Sequence, residues 1–196
     1  MTKNCALEGI YKNIHQDLID ACRAGNRQAQ FKVYKLYFKA MFNTSLRIVN
    51  DATEAEDILQ ESFLDAFRRL DSYSGEGSFG MWLKRIVVNN SLDVLRKRKE
   101  LLPLDEAGED FPDKGDGYDE ETVQYQVREV KDAIARLQED YRVIVTLFLI
   151  EGYDHEEISG ILGITNQLSR TRYSRARQKL QEIIRENRLK NAFIYN

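Results

Sequence analysis

Tyr153-Asp154-His155-Glu156-Glu157-Ile158-Ser159-Gly160-Ile161-Leu162-Gly163-Ile164-Thr165 is succeeded closely by Ser169-Arg170-Thr171-Arg172-Tyr173-Ser174-Arg175-Ala176-Arg177. The two stretches read as a short helix, a glycine turn and a second helix. Asp154 and Glu157 have the spacing of a capping box. Gly163 supplies the turn, and Thr165 caps the second helix. Ile158, Ile161 and Leu162 make the expected inner face of the first helix. The second carries an arginine at nearly every other position. This pattern predicts a helix-turn-helix that lays its second helix in a DNA major groove.

Working outward, the net charge of −3 over 196 residues conceals strong segregation. Lys84, Arg85, Arg96, Lys97, Arg98 and Lys99 form one basic zone. Arg170, Arg172, Arg175, Arg177, Lys179, Arg185, Arg188 and Lys190 form another. Between them lie Asp105, Glu106, Glu109, Asp110, Asp113, Asp116, Asp119, Glu120 and Glu121. Two basic zones around an acidic spacer suggest two contacts with one polyanion. Solvated helix faces are the alternative, although such faces usually mix both signs.

The two cysteines, Cys5 and Cys22, lack CxxC spacing, which argues against a disulfide framework or a zinc site and for reduced thiols in the cytoplasm. His15 and His155 sit in no metal-ligand pattern. No nucleophile–base pair or phosphate loop stands out, so neither an enzyme nor a cofactor is expected. No apolar run nears the ~18 residues of a membrane span, and the N-terminus lacks the apolar core of a signal peptide. The expected location is cytoplasmic, without direct membrane insertion.

The periodicity predicts an all-α chain of two small helical domains, 14–100 and 120–190, joined by a flexible acidic linker, 101–119. Asp17 to Ala24 reads as a short helix stopped by Gly25-Asn26. In the next helix Phe31, Tyr34, Phe38, Met41, Phe42 and Leu46 recur at helical steps and form the expected apolar stripe. Thr53 with Glu56 has capping-box spacing for a third helix, whose stripe is Leu59, Phe63, Ala66, Phe67 and Leu70. Ser72, Ser74, Gly75, Gly77 and Ser78 mark a loop. Helix four, about 78–99, buries Phe79, Trp82, Leu83, Ile86, Leu92 and Leu95. The linker holds both prolines and is too long for a connection inside one compact domain. In the second domain Val123, Val127, Val130, Ile134 and Leu137 step as a helix. Tyr141 to Ile150 reads as a buried helix, although Val143 to Thr146 alone would also suit a strand.

The chain resembles a bacterial sigma factor of the small extracytoplasmic-function (ECF) group from about Ala29 to Leu180. The resemblance is carried by Asp51 through Phe63, by Ser78 through Ile86 with Asn89, Asp93 and Arg96, by Glu156 through Ile164, and by Ser174-Arg175-Ala176-Arg177. It implies a factor that binds core RNA polymerase and directs promoter-specific initiation. The first domain corresponds to sigma region 2, which reads the −10 element; the second to region 4, which reads the −35 element. The linker corresponds to the segment that threads toward the RNA exit path.

The resemblance also assigns residues. Asp57, Gln60 and Glu61 dock on a clamp coiled coil of core polymerase, with Ile58 and Leu59 facing inward; region 4 meets the flap. Tyr73, Ser74, Lys84, Arg85, Asn89, Asn90 and Arg96 face the −10 strand, with Tyr73 as a stacking partner. Arg170, Thr171, Ser174 and Arg175 take base contacts at −35, flanked by Arg172 and Arg177, while Tyr173, Ala176 and Leu180 pack inward. Ser169 departs from the valine many members carry. An anti-sigma factor is an implied partner. A stand-alone helix-turn-helix regulator is the competing reading, and it leaves the Asp57-Gln60-Glu61 helix and the linker without a purpose.

Overall fold

The computed structural model describes residues 15–75, 77–101 and 123–194. Helices and short turns account for them, with no strand among the described residues. The chain divides into two compact units, Met1–Arg98 and Lys99–Asn196. The acidic linker lies almost wholly outside the described residues.

The first unit holds α1 (Gln16–Arg23), α2 (Arg27–Val49), α3 (Ala52–Arg68) and α4 (Phe79–Leu101). Asn26 starts α2, its side-chain oxygen accepting from the amides of Gln28 at 2.9 Å and Ala29 at 3.1 Å. Asn50 ends α2 at φ 58, and Asp51 at once starts α3 by accepting from the Glu54 amide at 2.9 Å. The expected Thr53–Glu56 cap is therefore displaced toward the N-terminus. Asparagine tolerates the left-handed conformation, so the chain reverses at Asn50-Asp51 and the cap falls on the aspartate.

The stripe expected on α2 is only partly its buried face: Met41 is buried and Tyr34 and Phe42 pack against the core. Phe31 is 57 % exposed, Leu36 and Phe38 are exposed, and Tyr34, Phe42 and Leu46 are half-buried. Beside Met41, the residues Ala29, Val33, Thr44, Ser45, Ile48 and Val49 face inward. Small side chains let helix backbones approach closely, and the polar ones among them are paired. Ser91 donates to the Val87 carbonyl at 2.7 Å, which leaves Ser45 to donate across 3.0 Å to Ser91. Asn90 donates to Ser62 at 3.0 Å, tying α4 to α3. Ile19, Leu59, Phe63, Phe79, Leu83 and Val87 fill the core around these contacts. The displaced aromatics cover one another at helical spacing: Phe38 stacks on Phe42 with centroids 5.9 Å apart, and the Lys35 ammonium lies 4.7 Å from the Phe31 centroid.

The second unit holds α5 (Val123–Ala135), α6 (Glu139–Val145), a wide π turn (Thr146–Ile150), α7 (His155–Leu162) and α8 (Asn166–Ile194). The apolar run from Tyr141 is thus helical. Val143, Ile144, Val145 and Leu147 are buried, and the Glu151 amide bonds the Thr146 carbonyl at 3.0 Å to close the wider turn. Arg142, inside that run, is buried and donates to the Leu137 carbonyl at 3.1 Å. Two clasps bind α5 to α8: Arg188 donates to both oxygens of the buried Glu129 at 3.2 Å, and Arg136 to Asn187 at 2.5 Å. No helix among the described residues is long and apolar enough to cross a membrane.

The burial pattern of α3 separates two leucines five residues apart. Leu59→Ala is expected to destabilise the first unit by about 2–5 kcal/mol, the cost of a core cavity. Leu64, 50 % exposed, is expected to cost no more than ~0.5 kcal/mol on truncation. Urea unfolding followed by fluorescence of Trp82, the one tryptophan in the chain, measures both. Equal losses at the two positions are incompatible with this packing of α3.

Candidate nucleic-acid interface

The helix-turn-helix forms as its capping chemistry requires. Asp154 accepts from the Glu156 and Glu157 amides at 2.8 Å, and the Glu157 carboxylate accepts from the Asp154 amide at 3.0 Å. Gly163 turns the chain at φ 67, where a side chain is strained. Thr165 accepts from the Leu168 amide at 3.1 Å and opens α8. Inside the angle, Ile158 and Ala176 are fully buried, while Ile161, Leu162 and Tyr173 are half-buried.

Ser169 is the unexpected element of this angle. It is 0 % exposed, and its hydroxyl lies 2.9 Å from His155 Nδ1. The His155 ring stacks on Phe148 with centroids 4.6 Å apart and meets Tyr173 edge-on at 5.6 Å. Phe148 and Tyr173 are 4.3 Å apart. A histidine, a serine and two aromatic rings therefore join the π turn, α7 and α8. Sequence pattern alone assigns His155 no role. The one legible signal is Ser169 at a position commonly apolar.

The arginines of α8 have different fates. Arg170 is exposed and donates to Asn166 Oδ1 at 2.9 Å. Thr171 is exposed and returns its hydroxyl proton to the Gln167 carbonyl at 3.0 Å. Ser174 is exposed. Arg175 and Arg177 are half-buried, so Arg175 presents less of itself than Arg170, Thr171 and Ser174. Arg172 pairs with Asp140 at 3.6 Å, which anchors α8 to α6. Lys179 pairs with Glu182 at 2.8 Å.

In the first unit, Tyr73 is not positioned to stack on a base. Its ring is 2 % exposed and packs against Phe79 and Trp82, both with centroids at 5.5 Å. Its hydroxyl donates to the Gly77 carbonyl at 2.8 Å, and its own carbonyl accepts from Arg23 at 2.7 Å. Tyr73 thus staples the glycine-rich loop to the core, and Ser74 and Gly75 are what project. Asn90 is likewise half-buried and engaged with Ser62. On α4, Arg85, Asn89 and Arg96 are exposed, Lys84 is half-buried, and Arg96 pairs with Asp93 at 2.7 Å. Arg98 bonds Glu54 of α3, which fastens the end of α4. Met81, 68 % exposed, stands next to the loop, at a position that no sequence pattern singles out.

Asp57, Gln60 and Glu61 are all exposed, with Ile58 and Leu59 buried beneath. Leu64 continues their row at the next helical step and is also exposed. Sequence alone misses it because a leucine in an amphipathic helix is read first as core.

The Sigma-70 region 2 family matches residues 33–100, and the Sigma-70, region 4 family matches residues 127–180. The chain is 31% identical over 146 residues to RNA polymerase sigma factor CarQ of Myxococcus xanthus, covering 74% of this chain and 83% of that protein. It is 28% identical over 178 residues to ECF RNA polymerase sigma factor SigW of Bacillus subtilis, covering 86% and 95%. Among solved structures, CnrH in complex with the cytosolic domain of CnrY is similar in fold, with a TM-score of 0.53 at 21% identity over 87% of this chain and 97% of that one. The sigma factor RpoE of Bartonella quintana, solved with the anti-sigma factor NepR, gives 0.53 at 23% identity over 79% and 95%.

The His155 environment has a measurable consequence. Burial holds its pKa below the ordinary 6.5, with the positive Arg170 adding to the effect and Asp154 opposing it. The unfolded chain therefore binds more protons than the folded one in this range, so stability rises with pH there. The penalty is absent above the unfolded value and grows as pH falls below it. Amide exchange of α7 and α8 is expected to quicken, relative to its intrinsic rate, between about pH 7.5 and pH 5.5, and less so in His155→Asn. Identical acid sensitivity in the two proteins contradicts this account.

Proposed function

The chain belongs to the extracytoplasmic-function sigma factors of bacterial RNA polymerase, which bind the core enzyme and direct it to promoters, and we propose that it reads those promoters at two places. The first unit takes the −10 element on α4 and the loop before it. The second takes the −35 element on the first turns of α8. The observation that carries this reading is that α4 and α8 each present an exposed polar and cationic face. Arg85 and Asn89 lie on α4; Arg170, Thr171 and Ser174 lie on α8.

The division of labour follows from exposure. Arginine recognises guanine through two parallel donors aimed at acceptors in the major groove. Arg170 begins α8's exposed side and has the reach for such a contact, with Thr171 and Ser174 beside it. Arg175, half-buried, is a weaker base reader, and Arg172 and Arg177 serve phosphates or the fold. At −10, a separated strand meets backbone-accessible glycines at Gly75 and Gly77, with Ser74 beside them. Met81 rather than Tyr73 offers the apolar surface for an unstacked base, since stacking platforms must be open to solvent. Lys84, Arg85, Asn89 and Arg96 then follow the strand.

Polymerase docking is assigned to Asp57, Gln60, Glu61 and Leu64. Three polar groups around one exposed leucine resemble the composition of an interface, apolar at its centre with a polar rim. The acidic stretch, 101–119, suits a basic channel rather than DNA, because DNA repels it; threading toward the RNA exit path is its proposed role, with region 4 on the flap. An anti-sigma factor is a proposed partner, in keeping with the regulation common in this family.

Purified chain mixed with core polymerase is expected to initiate at discrete sites on a genomic DNA library, and absence of specific transcripts overturns the assignment. Arg170→Ala is expected to weaken promoter binding by about 1–3 kcal/mol and relax choice at one upstream base pair. Uniform loss on all sequences contradicts base reading. Asp57→Lys is expected to lower affinity for core polymerase with helicity intact; an unchanged binding curve refutes the docking face.

A further inference from the structure

Ser169 immediately precedes the arginine assigned to base reading and is buried where that arginine is exposed. Its hydroxyl is fully buried and needs a partner, since an unpaired buried hydroxyl is costly. His155 Nδ1 supplies that partner at 2.9 Å. The ring that carries it packs against an aromatic pair, Phe148 from the π turn and Tyr173 from α8. The backbone beneath the ring is fixed by the reciprocal Asp154–Glu157 cap. An apolar residue at position 169 would pack against α7 with little directional demand. A hydrogen bond has a direction, and this one constrains how α8 is turned about its own axis.

We propose that His155 is a positioning residue for −35 reading: through Ser169 it sets the rotation of α8, and charging its imidazole disturbs that setting. The inference rests on the assignment of α8 to the −35 element.

The groups facing the ring define what charging it would do. Asp154, at the cap of its own helix, favours the cation. Arg170 from α8 opposes it, and Tyr173 and the Phe148 ring occupy its remaining neighbourhood. The ring also sits on the first residue of α7, at the positive end of the helix dipole, where a cation is disfavoured. In the neutral ring Nδ1 can accept the Ser169 proton. In the charged ring Nδ1 becomes a donor, so the bond to the Ser169 oxygen reverses and the serine proton must find another acceptor in the buried angle. Arg170, held on Asn166 at 2.9 Å, then meets a second positive charge behind it. Acid therefore disturbs the residue that selects the base.

The test measures the ratio of holoenzyme affinities for a promoter fragment selected from genomic DNA and for the same fragment with its −35 element replaced. Ser169→Ala and His155→Phe are each expected to lower that ratio about tenfold near neutral pH, and the double variant no further, because coupled groups are non-additive. His155→Asn, whose amide nitrogen or oxygen reaches the Nδ1 position, is expected to restore it. On acidification from about pH 7.5 to pH 5.5, spanning the ordinary histidine range, the unaltered chain loses discrimination while His155→Asn keeps it. The inference is overturned if His155→Phe retains the full ratio while Arg170→Ala relaxes it, or if the unaltered chain and His155→Asn share one pH profile. An unchanged ratio in Arg170→Ala removes the −35 assignment itself, and this inference with it. The pH comparison between two folded proteins decides the matter even where His155→Phe fails to fold.

Discussion

A hydroxyl shut away from water is costly to leave unpaired, and although Thr146 Oγ1 has no hydrogen-bond partner among the described residues, other buried hydroxyls in both units join one helix to another. Ser45 and Ser91 meet between α2 and α4, with the Val87 carbonyl completing the chain. Ser62 is met by Asn90, and Ser169 by His155. Each pair joins one helix to another. Apolar contact alone drives helices together without specifying their rotation, whereas a paired hydroxyl penalises every register that leaves it unsatisfied. On the proposed assignment, the rotation of α4 and of α8 decides which residues each helix presents to promoter DNA, which would couple the interior polar pairs to the reading surfaces.

Charge divides along similar lines. Several of the basic residues are committed to the fold: Arg98 to Glu54, Arg172 to Asp140, and Arg188 to the buried Glu129. These fasten helix ends and hold α8 against α5 and α6. Breaking a buried pair leaves an uncompensated charge, so Glu129 requires Arg188 whatever DNA does. Arg85 and Arg170 stand on exposed faces instead. A count of basic residues overstates the nucleic-acid surface, and the exposed subset is smaller and more directional.

Two small units, each with one modest reading face, are suited to acting together on a larger enzyme. Separately each has few base contacts to offer, and linkage raises affinity only when both can engage at once. A polymerase that fixes the spacing between −10 and −35 supplies that condition. Specificity would then derive from two weak readings multiplied, in keeping with the few exposed arginines on the proposed reading faces, Arg85 and Arg96 on α4 and Arg170 at the start of α8.

Much of this was legible in the chain alone. The Asp154–Glu157 cap, the Gly163 turn, the Asn26 and Thr165 caps and the exposed row Asp57, Gln60, Glu61 all follow from local chemistry, since each depends on groups within a few residues of one another. The helical class and the helix-turn-helix follow for the same reason. Which face of α2 goes inside did not. Phe31 and Phe38 outrank Ala29 and Ser45 on any scale of apolarity, yet Ala29 and Ser45 are buried and the two rings are exposed. Tyr73 likewise has the look of an available ring in a polar loop, yet Phe79, Trp82 and the Gly77 carbonyl enclose it. The pairing of His155 with Ser169 joins residues on two different helices and depends on the angle between them. Local propensity is written in neighbouring residues; burial and partnership depend on which distant side chains the fold brings within reach.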